Sequence, residues 1–308
     1  MVKRLVLRVP KEDALLPHQL LNEVAFRGFV TKNLPSILVP KVHAYNLTPP
    51  WIVEDFIEGT LLSTLWPRYS EHEKEAVCRK FAKMVAMLGE TTFGGIGGLV
   101  PSNKNGRQGT ELGPTVEGCK LFKGRGKLHA PEFYNIGPYK SAKEYVLAYY
   151  DKEIAYYSHP VTAGDIDMDL FEKVQVADFV ETLRRNRGNL QRGTDHLSAD
   201  NNTEEEPFVA VHGDFHGRNI LMNGTEVNAV LDWEFAGAYP LSELFDGIDV
   251  VEMDSEEMEE ENDKWNARLR MILKEVVEER GWGEREKRLL FSDGNPVLQT
   301  VRIEMFPY

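Results

Sequence analysis

One segment constrains this chain more than any other: Val211-His212-Gly213-Asp214-Phe215-His216-Gly217-Arg218-Asn219-Ile220-Leu221, followed at a short distance by Val230-Leu231-Asp232-Trp233-Glu234. Residues 208–211 are a short apolar run that leads into a polar loop. Residues 220–222 and 227–231 are two further apolar runs, joined across Asn223-Gly224, the strongest short hairpin signal. This order puts Asp214 and Asn219 on one tight loop and lets the hairpin fold Asp232 back beside them. Three oxygen-bearing side chains converging in this way suit Mg²⁺, which takes a few hard oxygen ligands together with phosphate oxygens and water. A carboxylate just outside that shell can accept a proton from an attacking hydroxyl. The plainer account is a polar hairpin with ordinary surface acids.

Elsewhere the pattern is mixed. Residues 5–9 form a short β-like run closed by Pro10. Pro17 opens a helix whose apolar side is Leu20, Leu21, Val24 and Ala25, ahead of Gly28. Residues 51–57 read as a second strand ending at Glu58-Gly59, so the first 58 residues read strand, helix, strand. Beyond them Ser70 and Glu73 make a capping box, with Val77, Phe81, Met84, Val85 and Leu88 behind it at helical spacing. Residues 93–138 are rich in Gly and Pro and read as loops or short hairpins. Within them Gly94-Gly95-Ile96-Gly97-Gly98 follows a helix and lacks a downstream Lys-Ser/Thr, so it reads as a flexible turn rather than a phosphate cradle. Ser141 and Glu144 repeat the capping spacing before an aromatic-rich helix over 145–157. A further helix is predicted over about 168–187, and a polar, mobile surface loop over 188–207. Eight carboxylates crowd residues 252–263, read as a solvated helix face or flexible loop. A helix from about Lys264 to Arg280 follows, stopped by Gly281.

Composition narrows the function classes. With 36 Lys and Arg against 49 Asp and Glu in 308 residues, the net charge is −13. Such a chain is a poor general binder of nucleic acid or anionic membrane, and no partner of either kind is expected. The two cysteines, Cys78 and Cys119, build neither a disulfide scaffold nor a cysteine zinc site and fit a reducing compartment. The N-terminal apolar stretch, broken at Arg8 and Lys11, is too short for a signal peptide, and no run reaches the length of a membrane span. The expectation is a cytoplasmic protein of unassigned oligomeric state.

The residues HGDFHGRNIL followed by LDWEFAG resemble the aminoglycoside phosphotransferase and choline kinase group, and Gly137-Pro138-Tyr139 before a capped helix resembles the large lobe of its fungal versions especially. These are small-molecule kinases with a protein-kinase-like fold and an HGDxxxxN motif. The resemblance implies an α+β, two-lobed, protein-kinase-like fold: a partial N-terminal lobe and hinge over 1–58, then a mostly helical C-terminal lobe over 59–308 with the catalytic loop and metal site. It also implies transfer of the γ-phosphoryl group of ATP or GTP to a hydroxyl of a small molecule, with Mg²⁺. Asp214 would then be the catalytic aspartate that orients or deprotonates the acceptor hydroxyl. Asn219 and Asp232 would hold Mg²⁺, and His212 would brace the loop. The hinge would lie at residues 51–59, where Glu54, Asp55 and Phe56 meet the nucleotide. Glu23 matches the acidic partner of the family's phosphate-binding lysine. Arg8 stands where that lysine belongs, and its fork has a different reach. The family's first two strands and the loop covering the phosphates come before this strand, whereas this chain begins at Met1, so the implied small lobe is truncated.

Other readings of these residues compete with this one. Arg8 and Glu23 can be a surface ion pair or no pair. His216 reads as a loop residue bonding the backbone and stands outside the chemistry, while Trp233 and Phe235 read as packing. Asp214-Phe215-His216-Gly217 also resembles the opening motif of dinuclear metallophosphoesterases, but no histidine follows His216 to serve a second metal. The alternative function is a catalytically impaired kinase-like scaffold or ligand-binding protein, against which the intact Asp214, Asn219 and Asp232 count. No Ala-Pro-Glu motif follows Asp232, which favours small-molecule acceptors over proteins.

Overall fold

This computed structural model describes residues 4–104, 107–116, 123–193, 206–245, 248–249 and 259–291, together with Leu298, Val301, Ile303, Glu304, Met305 and Pro307. Cys119 and residues 252–258 of the acidic run lie outside the described residues, as do 194–205 of the expected surface loop.

The chain opens with strand β1 (Leu5–Arg8), helix α1 (His18–Asn33), and the hairpin β2 (Val42–Leu47) and β3 (Pro50–Asp55). The three strands form one antiparallel sheet in the order β1-β3-β2, with Leu5 opposite Asp55 and Arg8 opposite Ile52. Two departures from the sequence reading occur here. Helix α1 extends beyond the apolar side read ahead of Gly28 and continues to Asn33, because Phe26 and Val30 are wholly buried on its inner face. That burial outweighs the ~1 kcal/mol cost of an interior glycine. Strand β2 is absent from the sequence reading: its His43, Tyr45 and Asn46 carry no apolar alternation, and pairing with β3 alone makes it a strand.

The chain leaves the small sheet after Asp55. Strand β4 (Thr60–Leu61) pairs with a strand of the hairpin near residue 221, and Asn228 Nδ2 donates to the Glu58 carbonyl across 2.8 Å. Helices α2 (Leu62–Leu65) and α3 (Glu71–Gly89) follow. Ser70 and Glu73 close the predicted capping box at the start of α3, each side chain accepting from the other residue's backbone amide.

Strand β5 (Thr92–Phe93) leads through the glycine run to the hairpin β6 (Gly98–Lys104) and β7 (Arg107–Gly113). The glycines are not a flexible turn. Ile96 and Gly97 bridge to Tyr139 and Ala238, and a Cβ on Gly97 would sit 2.4 Å from the Gly113 carbonyl oxygen. They are a tight crossing of backbones, where only the missing side chain permits the approach.

Helix α4 (Ala142–Ser158) starts at Ser141, whose hydroxyl accepts from the Glu144 amide, while Glu144 Oε2 accepts from the Lys140 amide. The single helix expected over 168–187 is divided. Residues 168–171 form a short 3₁₀ turn, and α5 (Val176–Arg192) runs past Gly188 to stop at Gly193, whose φ of 66° ends it in the left-handed conformation.

The remaining elements are β8 (Phe208–Val211), β9 (Phe215–His216), β10 (Ile220–Asn223), β11 (Glu226–Val230), β12 (Gly237–Pro240), β13 (Ile248–Asp249), α6 (Glu259–Glu279) and α7 (Glu284–Phe291). Strand β8 sits between β12 and β5, and β10 between β11 and β4. The β10–β11 turn uses Gly224 at φ 57°, as Asn223-Gly224 predicts. Helix α6 begins five residues earlier than expected, because Glu259, Glu260 and Glu261 form its first turn, where acidic charge suits the helix N-terminus. It packs along α3 with cross-helix pairs that include Lys264–Glu71, Arg268–Glu75 and Arg280–Glu90. One apolar core, centred on Trp66, Phe81, Tyr145 and Trp233, joins these helices and small sheets. The fold is α+β and two-lobed, with the small sheet and α1 above a mostly helical body, in the protein-kinase-like manner that the resemblance implies. No helix among the described residues is long and apolar enough to cross a membrane.

Candidate active site

The site is built on the loop after β8. Gly213 takes φ 81°, and a Cβ there would lie 2.5 Å from the Phe235 carbonyl oxygen, so glycine is required for both reasons. His212, buried, donates from Nε2 to the Leu231 carbonyl at 2.9 Å, and its Nδ1 accepts from the Asp214 amide at 3.3 Å. Burial pushes the His212 pKa down to about 4, which keeps the ring neutral in this role. The bracing role expected of His212 therefore has a specific form: it ties the Asp214 loop to the end of β11.

Leu231 is held from both sides, because its amide also donates to the Asn219 carbonyl at 2.7 Å. The next residue, Asp232, is thereby brought beside Asn219. Asp232 adopts φ 60° and ψ 60°, a left-handed conformation found at no other non-glycine position among the described residues. Such a conformation costs on the order of 1 kcal/mol and persists only where its surroundings enforce it. Helix α1 supplies part of that enforcement. The buried Asn22 donates from Nδ2 to the carbonyls of Glu234 and Ala236, at 3.1 and 2.7 Å, and accepts from the Leu99 amide at 2.6 Å. Phe26 stacks on Trp233 at 5.8 Å.

Asp214 is partly exposed and its two oxygens have different donors. Asn219 Nδ2 bonds Oδ2 at 2.9 Å and the Asp214 carbonyl at 3.0 Å, while His216 Nε2 lies 3.0 Å from Oδ1. Burial acts to raise the Asp214 pKa. The hydrogen bond from His216 comes first against it, and with that from Asn219 it holds the carboxyl below its usual range. The group is thus an ionised acceptor at neutral pH.

The small lobe reaches the same place. Arg8, at the end of β1, pairs with Glu23 of α1 through Nη1 and donates from Nη2 to Asp232 Oδ1 at 3.2 Å. Glu54 and Glu234 lie 3.9 and 4.0 Å from the same guanidinium. Burial opposes the Arg8 charge, but the four carboxylates outweigh it and raise its pKa, led by Glu23 and then Asp232. Arg27, one turn along α1 from Glu23, is buried and bonds Glu23, Glu54 and the Pro40 carbonyl. Burial raises the Glu23 pKa against the pull of Arg8 and Arg27. It also pushes Glu234 up to about 7, reinforced by the charge of Asp232.

The expected site residues therefore divide by location. Asp214, Asn219, Asp232, Arg8 and Glu23 come together. Glu54 reaches the cluster with its side chain, 3.9 Å from Arg8, not as a bare backbone edge. The amides of Asp55 and Phe56 are committed within the small lobe, donating to the carbonyls of Lys41 at 3.0 Å and Arg4 at 3.3 Å. Sequence reasoning missed Asn22, Arg27, His216 and Glu234. A signal existed for Arg27, four residues from Glu23 on a helix, and for Glu234, two residues beyond Asp232. None existed for Asn22.

The donor chemistry fits a hard divalent cation. With its amide nitrogen committed to Asp214, Asn219 has its side-chain oxygen left for a ligand role, beside the carboxylate of Asp232. Among the described residues no three of His, Cys, Asp and Glu form a metal site by themselves, so phosphate oxygens and water would complete the shell.

A match to the phosphotransferase enzyme family spans residues 2–267. This chain belongs to that family. Among curated relatives of this phosphotransferase-family chain, altered inheritance of mitochondria protein 9 of Kluyveromyces lactis, named mitochondrial, is 29% identical over 150 residues. That alignment covers 38% of this chain and 24% of the relative, so the chain spans about a quarter of the length of the curated protein it matches. Solved structures similar to it include a gentamicin complex of APH(2″)-IIa, at TM-score 0.49 and 15% identity over 99% of this chain and 87% of that one. The type VIII aminoglycoside-3′-phosphotransferase gives 0.49 and 16%, over 99% and 86%.

Proposed function

We propose that this phosphotransferase-family chain transfers the γ-phosphoryl group of ATP or GTP to a hydroxyl of a small molecule. The single observation that carries this reading is the convergence of Arg8, Glu23 and Asp232 beside the Asp214–Asn219 loop. A nucleotide kinase needs a cation on its phosphates, a carboxylate for the metal and a carboxylate for the acceptor, all within one cleft. Separate surface pairs would have no reason to meet there.

In this mechanism Asp214 orients the acceptor hydroxyl and takes its proton. The hydroxyl oxygen bonds the γ-phosphorus as the bond to the bridging oxygen breaks, releasing the nucleoside diphosphate. Arg8 steadies the phosphates through its fork while Glu23 fixes its direction. Asn219 and Asp232 are the residues that would hold Mg²⁺, which offsets phosphate charge when bound. Glu54, Asp55 and Phe56 stand at the end of β3 closest to the nucleotide base in this reading. The division of the chain at 1–58 and 59–308 accords with the switch of sheets between β3 and β4. In this reading the site between these parts takes nucleotide and a small hydroxylated substrate, and the protein works in the cytoplasm.

The experiment is calorimetric titration of the chain with ATP and GTP, with and without Mg²⁺, beside Asp232→Ala. The expected result is Mg²⁺-dependent binding that the substitution removes. Binding of neither nucleotide would overturn the reading.

A further inference from the structure

We infer that His216 is a positioning residue for Asp214, holding its carboxylate at the angle from which it meets the acceptor. This rests on the phosphotransferase reading and goes beyond it, because neither the motif nor the metal and phosphate contacts of the site assign His216 a part.

The geometry determines which nitrogen carries the proton. His216 Nδ1 accepts from the Arg218 amide at 3.3 Å, so that nitrogen holds a lone pair and the hydrogen sits on Nε2. Nε2 lies 3.0 Å from Asp214 Oδ1 and donates to it. The Asn219 amide nitrogen is 3.5 Å from the same Nε2, but both are donors, and each takes a different oxygen of Asp214. The carboxylate is thus gripped at both ends, by Asn219 on Oδ2 and by His216 on Oδ1. One lone pair on each oxygen satisfies these donors, and the other lone pairs remain for the acceptor hydroxyl.

The imidazole is itself fixed. It is 8% exposed, and its backbone is paired in β9, where Phe215 turns the other way to pack edge-on against Phe81 and His212. Alternation along β9 therefore sends Phe215 to the core and His216 to the catalytic carboxylate. Without the Nε2–H, Asp214 would keep one donor and could rotate about its χ2 bond. A misplacement of that kind lowers the rate of the chemical step while leaving nucleotide binding in place.

The test uses the whole chain with MgATP and water as acceptor, reading phosphate release and, by calorimetry, nucleotide affinity. His216→Phe keeps a ring but no donor, whereas His216→Gln offers an amide N–H at the same reach. His216→Phe is expected to lower kcat about 10- to 100-fold with KM for ATP little changed, and His216→Gln to recover most of that loss. In the wild-type chain, long-range ¹H–¹⁵N correlation should show His216 as the Nε2–H tautomer. A His216→Phe rate equal to wild type, a His216→Gln rate as low as His216→Phe, or an Nδ1–H tautomer would each overturn the inference. The tautomer measurement decides even if His216→Phe does not fold. A wild-type chain that binds and hydrolyses neither ATP nor GTP would instead overturn the phosphotransferase reading, and the positioning role would fall with it.

Discussion

The guanidinium of Arg8 donates to Asp232 across 3.2 Å, joining two residues 224 positions apart. Arg8 ends the first strand, and Asp232 follows the last strand of the hairpin in the helical body. Their contact, with Glu23 on the other arm of the fork, ties the small sheet to the end of the hairpin that carries Asp232.

Because the two arms of Arg8 serve two different carboxylates, Arg8→Lys is expected to leave a folded chain that cannot hold both. Nucleotide affinity should fall about tenfold, corresponding to ~1.4 kcal/mol, the scale of one charge-assisted hydrogen bond. Calorimetry with MgATP checks this, and unchanged affinity would remove Arg8 from the phosphate site.

Asp214→Asn keeps the shape of the side chain and removes the proton acceptor. Phosphoryl transfer to an identified hydroxyl substrate should drop at least ~100-fold, with nucleotide affinity within about twofold of wild type. Full activity in this variant would show that the catalytic assignment is wrong.

Asp232→Asn tolerates the left-handed backbone that Asp232 adopts, so it separates charge from backbone strain. Mg²⁺-dependent nucleotide binding should weaken tenfold or more, by about 1.4 kcal/mol at least, while the thermal midpoint moves little. Titrations at several Mg²⁺ concentrations would reveal whether the loss is in the metal-dependent part.

The pH dependence of stability has a definite sign at His212. Its folded-state pKa is pushed down to about 4 from 6.5, so the unfolded chain binds the proton more readily between those values. Stability then rises with pH through this window and is lost as pH falls from 6.5 towards 4, by up to about 3 kcal/mol for a buried group. Denaturant midpoints at pH 7 and pH 4.5 should converge in His212→Gln relative to wild type. An equal difference in both proteins would refute the assignment.

Asn22 uses its one amide to satisfy three backbone groups from two distant parts of the chain. Asn22→Leu should cost about 3 kcal/mol, since buried carbonyls and an amide would lose their partner. The expected readout is a lower denaturant midpoint together with weaker MgATP binding, because the Asp232 segment loses its tether. If binding were unaffected in the folded variant, Asn22 would be structural only.

Local patterns explain how much of this was legible. The capping box at Ser70, the Asn223-Gly224 turn and the stop at Gly281 depend on a few neighbouring residues, and each formed where its chemistry predicts. The end of α1 and the packed glycine crossing did not follow from neighbours, because buried Phe26 and Val30 and the carbonyls of Gly113 and Tyr139 decided them from a distance. Strand β2 likewise exists only through its partner β3.

By itself, the sequence determined the spacing of Asp214, Asn219 and Asp232, since a strand, a tight loop and a two-residue turn leave little freedom over 22 residues. It also determined the membership that this motif signals. Only the tertiary structure decided that Arg8 and Glu23 meet Asp232, that Asn22 and His212 hold the two halves of the motif in place, and that His216 faces Asp214. The reason is physical: hydrogen bonds and ion pairs have a reach of a few ångströms, and which groups come within that reach across 200 residues is set by how the apolar faces of the helices and sheets pack.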